Sequence, residues 1–209
     1  MLDILFTLVF MAVGYLMGSI PTGYLLARAR GVDIQKVGSG NIGATNILRT
    51  LGVVPAIVVV LLDPLKSYLA TLFPLLLGMS AWTIALTGFA AILGNNFNIF
   101  LKFKGGRGIA TGLGVMFAID PFISLLIIIL GVSTVALGRY VSLGSLVGVI
   151  AAPVLFLAKG NFLFPYFFLT VAIMLLVIYR HRENIKRLAA GVERRLGEKV
   201  KLDESEEQP

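Results

Sequence analysis

The segment from residue 102 to residue 108 combines residue types that can hold an anion. It contains three cations, three glycines and one aromatic residue: Lys102, Phe103, Lys104, Gly105, Gly106, Arg107 and Gly108. Glycine lets a backbone approach a ligand closely, and cations pair with phosphate oxygens. The Gly-x-x-x-x-Gly-Lys-Ser/Thr spacing of a nucleotide-binding P-loop is absent. The segment therefore favours a phosphate site of another kind, with an ordinary basic surface loop as the alternative.

A second polar segment runs from Gly38 to Arg49 and is built from small residues that offer hydrogen-bonding groups. Its candidate ligand-binding side chains are those of Ser39, Asn41, Thr45, Asn46 and Arg49. The pattern also suits a linker between two membrane segments, although it is long for that purpose. We favour substrate binding, with residues 44–51 starting a helix that carries Arg49.

The start of the C-terminal region places a histidine and an amide on one helix face. His181 and Asn184 are three positions apart and follow directly after an apolar segment. A histidine there has a pKa near physiological pH, so it can act as a base or donate a hydrogen bond, or it can make a purely structural contact. Glu183 suits a structural ion pair with a cation of a neighbouring loop.

Ser142 lies in a polar break, residues 138–145, that also contains Arg139 and Ser145. A hydroxyl beside an anion site can bind phosphate. A role as covalent nucleophile is less favoured, because the sequence offers no evident triad partner for Ser142.

One pair of opposite charges lies inside an apolar segment. Asp63 and Lys66 are three residues apart, which places them on one helical face. Ionisable residues within a membrane usually face the protein interior and pair with each other. The pair therefore either has a structural role, bracing helices, or reaches toward a substrate.

The composition indicates what class of protein must position these residues. Of 209 residues, 57% are hydrophobic and 14% are charged, whereas a soluble domain has about 25% charged residues. Such a chain is a polytopic membrane protein, and positively charged inner loops explain its net charge of +7 better than nucleic-acid binding does. There is no cysteine and only one histidine, which disfavours disulfides and Cys-ligated or multi-histidine metal sites. We expect no metal and no cofactor.

The apolar runs predict an all-α polytopic protein with seven membrane segments. Five are full-length, at about residues 4–26, 53–73, 80–93, 122–137 and 162–178, and two are short, at 109–119 and 146–158. The N-terminus is predicted outside and the C-terminus in the cytoplasm, because this puts most of the 18 Lys and Arg residues inside. Five crossings would give the same orientation. Residues 1–200 are predicted to form one domain, and 201–209 an acidic, disordered tail.

Three motifs, in this order, resemble those of the acyl-phosphate:glycerol-3-phosphate acyltransferase family, the PlsY family. They are Gly38 to Asn46, Lys102 to Thr111 and His181 to Leu188, and the likeness covers nearly the whole chain except the acidic end. The resemblance implies transfer of a fatty acyl group from acyl phosphate to the sn-1 hydroxyl of glycerol 3-phosphate. The products would be lysophosphatidic acid and phosphate, in phospholipid synthesis. It also implies a multi-pass enzyme of the cell (inner) membrane, among membrane lipids, with a cytoplasmic active site; we expect a monomer.

The resemblance assigns roles to matching positions. The family's first-motif serine and arginine correspond to Ser39 and Arg49. Its glycine-rich second motif, associated with glycerol 3-phosphate binding, corresponds to residues 104–108. Its third-motif histidine, glutamate and asparagine correspond to His181, Glu183 and Asn184.

Two positions depart from the family's pattern. Arg107 stands where lysine is common, which keeps the charge but changes the geometry of the donors. Asn95 stands where family members often have histidine, and we expect that histidine to be dispensable.

Acyl phosphate is an activated mixed anhydride, so its enzyme needs proximity, charge neutralisation and a proton acceptor rather than a covalent intermediate. We expect direct transfer, with Lys104 and Arg49 holding phosphates. Ser142 and Asn184 would orient groups, and His181 would help to position glycerol 3-phosphate. A substrate phosphate oxygen would itself take the proton.

The alternative function is a small membrane transporter for an organic phosphate. Such a transporter would need polar residues near the midplane and often has an inverted repeat. The sequence shows no clear repeat, and only Asp63 and Lys66 lie deep in an apolar segment. We therefore favour the enzyme.

Overall fold

The computed structural model describes residues 2–160 and 162–198 of the chain. The regular elements in these ranges are all helical, which confirms the predicted all-α class. The helices are α1 (Leu2–Gly18), α2 (Thr22–Arg28), α3 (Ala44–Leu51), α4 (Val53–Leu76), α5 (Ala81–Asn96), α6 (Ile109–Ile119), α7 (Pro121–Gly138), α8 (Val141–Lys159), α9 (Phe164–Arg180) and α10 (Arg182–Ala189), with a short 3₁₀-helix at Ile99–Leu101. The predicted acidic tail, 201–209, lies outside the described residues.

Several of these helices, alone or joined across short breaks, are long and apolar enough to cross a membrane. Five candidate spans are Leu2–Arg28, Val53–Leu76, Ala81–Leu101, Pro121–Gly138 and Val141–Lys159, and α9 is counted as a sixth only if it is taken together with α10, from which it is bent by 62°. α6 has only 11 residues, about 16 Å of helix, against a bilayer core of about 30 Å. The protein is therefore a multi-pass membrane protein, while the seven crossings and their orientation stay predictions.

The prediction of a short segment at residues 146–158 is wrong, because α8 is a full helix of 19 residues. The two serines that suggested a polar break belong to its first turns. Ser145 donates its hydroxyl hydrogen to the Val141 carbonyl at 2.9 Å, a bond within the helix that lets serine continue it. The chain turns instead at Arg139, which has a φ of 61°.

Small residues let the helices pack at close distance. α1 lies against α5, where a Cβ on Gly18 would be 1.9 Å from the Ala91 carbonyl oxygen. α4 lies against α6, where a Cβ on Gly114 would be 2.0 Å from the Pro64 carbonyl oxygen. Such close approach is what drives helix association in a membrane, where apolar burial between helices gains little.

Two buried apolar clusters form the core, and the second of them also holds a loop in place. One joins α5, α6, α7, α8 and α9. The other contains Ile34, Ile42, Ile47 and Val59, and it packs the segment 29–43 against α2, α3 and α4. The segments 29–43, 97–108 and 181–198 meet at one end of the bundle, which we call the basic end.

Candidate active site

The glycine-rich segment is held against the end of α5. The Gly106 N–H donates to the Asn95 carbonyl at 2.8 Å. A Cβ on Gly105 would lie 2.0 Å from the same carbonyl oxygen, so only glycine permits this approach. From α9, the Arg180 guanidinium donates to the carbonyls of Gly105 and Gly106 at 2.9–3.2 Å. Arg180 therefore fixes the conformation of the loop.

A buried ion pair supports this loop from inside the bundle. The Lys66 Nζ lies 2.9 Å from Asp63 Oδ1 and donates to the Ile20 carbonyl at 2.7 Å. It also donates to the side-chain oxygen of Asn95 at 3.2 Å, and the backbone carbonyl of Asn95 is the one that accepts from Gly106. This geometry favours the bracing role of Asp63 and Lys66 over direct substrate contact.

The first polar segment folds around the side-chain amide of Asn46. Asn46 Nδ2 donates to the carbonyls of Val37 and Ile34 at 3.0 and 3.4 Å, and its Oδ1 accepts from the Ser39 N–H at 2.9 Å. Asn46 is only 1% exposed. Asn46 was expected to bind substrate, but its amide is bonded within its own loop instead and fixes the part of that loop that presents Ser39.

The other polar side chains of this segment are less buried than Asn46. Ser39 is exposed, and Asn41 and Thr45 are half-buried. The Asn41 Oδ1 atom is buried and has no hydrogen-bond partner within residues 2–160 and 162–198. Gly43 is the N-cap of α3 and has no side chain with which to cap it. The first N–H groups of α3 are therefore left for another partner, and an anion suits that position.

The chain after α10, residues 190–198, crosses the basic end as a strap. Its Glu193 carboxylate accepts hydrogen bonds from Ser142 Oγ at 2.8 Å, Asn184 Nδ2 at 2.6 Å and Arg187 Nε at 2.7 Å. Burial acts to raise the pKa of Glu193, but the bonds from Asn184, Arg187 and Ser142 outweigh it and lower the pKa below its ordinary value. Glu193 is therefore an ionised hub that brings Ser142 and Asn184 together.

Two arginines attach the strap to the helices. Arg49 donates to the carbonyls of Arg194 and Arg195 at 3.4 and 3.3 Å. Arg139 and Leu196 exchange two hydrogen bonds, at 2.7 and 3.2 Å. The Arg49 Nε atom is also buried without a partner among the described residues, so Arg49 keeps one donor for a ligand.

Several arginines crowd around this strap. Burial lowers the pKa of Arg107 to about 10, and the nearby charge of Arg187 acts in the same direction. Burial likewise lowers the pKa of Arg49, with Arg194 adding to the effect. All of these groups are still charged near neutral pH. Cations that destabilise one another in this way form a site that favours a multiply charged anion.

His181 is a buried, neutral group. It is 2% exposed, and its Nδ1 lies 2.9 Å from the Val177 carbonyl, which can only accept, so Nδ1 carries the hydrogen. Burial lowers the pKa of His181 to about 4, although the bond to Val177 acts to raise it. The predicted pKa near physiological pH is therefore wrong, and Nε2 is the nitrogen left to accept a hydrogen bond.

Lys104 and Lys102 lie apart from the Glu193 hub. Lys104 is exposed and lines a polar cavity of about 430 Å³ together with Lys36 and Arg180. Gln35 donates to the Lys104 carbonyl at 3.1 Å, which ties the first loop to the second. Lys102 has a φ of 52° and an exposed side chain. Lys104 thus faces the space between the two loops, while Lys102 faces outward.

The predicted ion pair between Glu183 and a loop cation is wrong. Glu183 is exposed and lies 3.3 Å from Lys186 and 3.8 Å from Arg182, both on its own helix. The glutamate that contacts the site is Glu193.

An apolar groove of about 580 Å³ opens beside this polar cluster. Its walls come from α6, α7, α8 and α9, with Gly112, Gly131, Gly144 and Gly148 leaving room between them. Arg139 and Leu196, which attach the strap, also line the groove. A ligand with a charged end and a long apolar part would fit this junction.

Sequence reasoning missed three residues of the site. Glu193 lies in a stretch of the tail that carries no apolar pattern, and its partners come from two different helices. Arg180 and Arg187 were counted only as inner-surface cations. The clearest available signal was a Gly-x-Glu step, Gly191 to Glu193, shortly after α10, the helix that carries Asn184.

Comparison with known proteins identifies closely similar sequences. The sequence model of the family described as glycerol-3-phosphate acyltransferase matches residues 8–191. A glycerol-3-phosphate acyltransferase of Thermus thermophilus is 49% identical over 189 residues, which is 90% of this chain and 94% of that protein. Glycerol-3-phosphate acyltransferase 1 of Deinococcus radiodurans is 48% identical over 190 residues, with 90% and 94% covered.

Solved structures show the same fold. The crystal structure of PlsY, an integral membrane glycerol 3-phosphate acyltransferase, in its glycerol 3-phosphate form matches with a TM-score of 0.87 at 41% identity, covering 91% of this chain and 96% of that one. The lysophosphatidic acid form of PlsY matches with a TM-score of 0.85 at 40% identity, covering 92% of this chain and 96% of that one.

Proposed function

The chain belongs to the glycerol-3-phosphate acyltransferase family, and we propose that it moves a fatty acyl group from an acyl phosphate to the sn-1 hydroxyl of glycerol 3-phosphate. The products are lysophosphatidic acid and inorganic phosphate, and the reaction serves phospholipid synthesis. The protein works in the cell (inner) membrane, with the basic end on the cytoplasmic face. No cofactor takes part in this scheme.

The observation that carries the proposal is the junction of the arginine cluster with the apolar groove. Arg49 and Arg107 are charged and half-buried near the Glu193 hub. Arg139 and Leu196 link that hub to the groove, because they line it and hold the strap. An acyl phosphate combines a phosphate head with an apolar tail, so its two parts fit the two parts of this site.

The chemistry needs only two substrates. The sn-1 hydroxyl oxygen attacks the carbonyl carbon of the acyl phosphate, and a new ester C–O bond forms. The bond between that carbon and the phosphate oxygen breaks, and its electron pair leaves with the phosphate. The hydroxyl proton passes to an oxygen of the departing phosphate, which balances the reaction without a separate base.

The chain's residues bind and orient the reactants. Arg49 and Lys104, with the N–H groups of the glycine-rich loop, neutralise phosphate charge and hold the two reactants close. Ser142 and Asn184 orient the donor near its carbonyl. His181, neutral and with Nε2 open, accepts a hydrogen bond from a glycerol hydroxyl and so positions the acceptor.

The first loop and the rest of the glycine-rich loop complete the acceptor site. Ser39, Asn41 and Thr45 offer side-chain groups near the N-terminus of α3. Arg107 adds a charge from the second loop. Lys102 contributes positive charge to the surface through which anionic substrates approach.

The test is an assay of the purified protein in detergent. With an acyl phosphate and glycerol 3-phosphate, we expect lysophosphatidic acid and inorganic phosphate in equal amounts, and no product with acyl-CoA as donor. Product from acyl-CoA but not from acyl phosphate would overturn the proposed donor.

Two further outcomes would overturn other parts of the proposal. Absence of product, with uptake of glycerol 3-phosphate into liposomes that hold the protein, would favour the transporter. Trapping of an acyl group on Ser142 by mass spectrometry would replace direct transfer with a covalent intermediate.

A further inference from the structure

The apolar groove is open at one end and closed at the other. Close to the basic end, its α7 wall carries Val132 and Ala136, which are exposed on the outer surface of the bundle. At the far end, the lining residues Met116, Ile127 and Ala152 are only 4–6% exposed. The groove therefore tapers from a lipid-accessible side to an enclosed end.

The enclosed end is blocked by packed side chains. Ile123, Phe156 and Leu169 are 1–4% exposed, belong to the same apolar cluster as Ile127 and Ala152, and do not line the groove. Behind them, an ion pair between Asp120 and Lys159 joins the start of α7 to the end of α8. The far end is therefore a fixed wall rather than a passage.

We propose that this closed end, formed by Ala152 with Ile127 and Met116, limits the length of acyl chain that the groove encloses. The inference rests on the proposed function, because the occupant is the acyl chain of the donor. Its polar head would lie at the arginine cluster, and its terminal methyl group would point toward Ala152. A relative of this fold has been solved in a lysophosphatidic acid form, and that molecule also joins a phosphate to an acyl chain.

The geometry gives the limit a physical basis. Ser142 and Ala152 are ten positions apart on α8, about 15 Å at a rise of about 1.5 Å per residue. A chain longer than the enclosed depth must bend or leave through the open α7 side. A methylene that stays inside must instead crowd the packed side chains of the wall, and overpacking of this kind lowers kcat/KM for the longer donors.

The experiment measures kcat/KM for saturated acyl phosphates that differ by two carbons, in wild type and in three variants. Ala152→Leu fills the closed end, and Ile127→Ala enlarges it. Ala158→Leu, on the exposed surface of the same helix, is the matched control. We expect Ala152→Leu to shift the preferred chain shorter by at least one step, with a roughly tenfold or larger change in the ratio of long to short donors. Ile127→Ala should shift it longer, and Ala158→Leu should not shift it.

The same length profile in all four proteins would overturn the inference. The inference would also be overturned if Ala152→Leu unfolded at the wild-type temperature but lost kcat/KM equally for donors of every chain length. Short chains should still fit the groove of this variant. If Ala152→Leu fails to fold, Ala152→Val gives the same test with a smaller change in volume.

A second readout separates this inference from the proposed function. Lysophosphatidic acids of the same series are added to each protein, and binding is followed by the shift in thermal unfolding temperature. If wild type lacks acyl phosphate turnover, the proposed function fails, but a length profile in binding that shifts with Ala152→Leu still supports the limit. An unshifted binding profile would overturn the limit whatever the donor.

Discussion

At the residue scale, Glu193 places one negative charge in the middle of a positively charged site. Its carboxylate is held by Ser142, Asn184 and Arg187, and its side chain is 7% exposed. A buried carboxylate is costly unless it is paired and hydrogen-bonded, and here three donors meet that need. Its effect on the reaction is through position, because it sets where the Ser142 and Asn184 side chains point.

We predict that Glu193→Gln lowers kcat at least tenfold and the free energy of unfolding by about 1–3 kcal/mol, since it leaves buried donors poorly matched. Steady-state kinetics and thermal unfolding measure the two effects. Glu198→Gln, on the exposed part of the same strap, is the control and should stay within about twofold of wild type. A Glu193→Gln enzyme with wild-type kcat would remove Glu193 from any role in positioning.

The two lysines of the glycine-rich loop give a matched pair for a second prediction. Lys104 faces the polar cavity between the loops, and Lys102 faces outward. We expect Lys104→Ala to lower kcat/KM at least a hundredfold with an unchanged unfolding temperature, because a charge-assisted bond to phosphate is lost. Lys102→Ala should cost less than about fivefold. Equal kcat/KM in Lys104→Ala and wild type would leave the loop without a binding role for Lys104.

At the scale of elements, α4 supports the second loop through the buried pair of Asp63 and Lys66. The Lys66 Nζ contacts Asn95, and Asn95 in turn holds Gly106 through its carbonyl. The position of the glycine-rich loop is therefore fixed by α4, although the two are distant in sequence. This arrangement also accounts for asparagine at position 95, since its side-chain oxygen accepts from Lys66.

We predict that Lys66→Met destabilises the protein by about 3–5 kcal/mol, because it leaves the Asp63 charge buried without a partner. The double variant Asp63→Asn with Lys66→Met should recover much of that loss. Thermal unfolding in detergent measures both. The exposed pair of Asp33 and Lys36 has the same three-residue spacing, so Lys36→Met is a matched control and should change stability by less than about 1 kcal/mol. Equal effects of the two methionine substitutions would argue against bracing by Lys66.

Helices that carry a continuous apolar pattern could be predicted from the sequence. The residues at which they begin and end could be predicted less well. The break near Pro21 and the turn at Asp120 carry proline or capping signals in the sequence, and both are present in the structure, with Asp120 accepting from the Ile123 N–H. The start of α8 was missed because Ser142 and Ser145 look like loop residues. In the helix, one bonds to its own backbone and the other to Glu193, and the second bond depends on tertiary structure.

The site was predictable to the extent that its residues form motifs. The glycine-rich loop and the nearness of His181 to Asn184 follow from spacing, but the predicted common helix face does not hold, because His181 lies at the bend between α9 and α10. The structural role of Asn46 inside its own loop could not be predicted, nor could the role of Glu193 in place of Glu183. The residue type of an amide or a carboxylate is the same whether the group bonds to the backbone or to a substrate. Only the distances around each group, such as 2.9 Å from Asn46 to the Ser39 N–H, decide its role.

At the scale of the whole molecule, His181 connects the site to the stability of the fold. It is buried where α9 meets α10, and burial lowers its pKa to about 4, compared with about 6.5 in an unfolded chain. Between these values the unfolded state binds a proton that the folded state does not. Stability must therefore fall as the pH falls through this range.

We predict that the free energy of unfolding is nearly constant between about pH 7 and pH 9 and decreases by up to about 3 kcal/mol between roughly pH 6.5 and pH 4. Glu193, whose pKa the fold lowers, adds a further loss below about pH 4.5, where an unfolded carboxylate takes a proton. Chemical unfolding at a series of pH values measures both. His181→Gln should remove the first loss and keep the second. An unchanged profile in His181→Gln would show that another group titrates in this range.

The strap also determines when during synthesis the site can exist. The bond from Arg49 to the Arg194 carbonyl joins groups 145 residues apart, and the Glu193 hub takes its donors from α8 and α10. A nascent chain can insert α1 through α8 and still lack the carboxylate that aligns Ser142 with Asn184. Assembly in the bilayer is thus separated in time from the onset of activity, and a ribosome-bound intermediate that ends before residue 193 cannot form this hub.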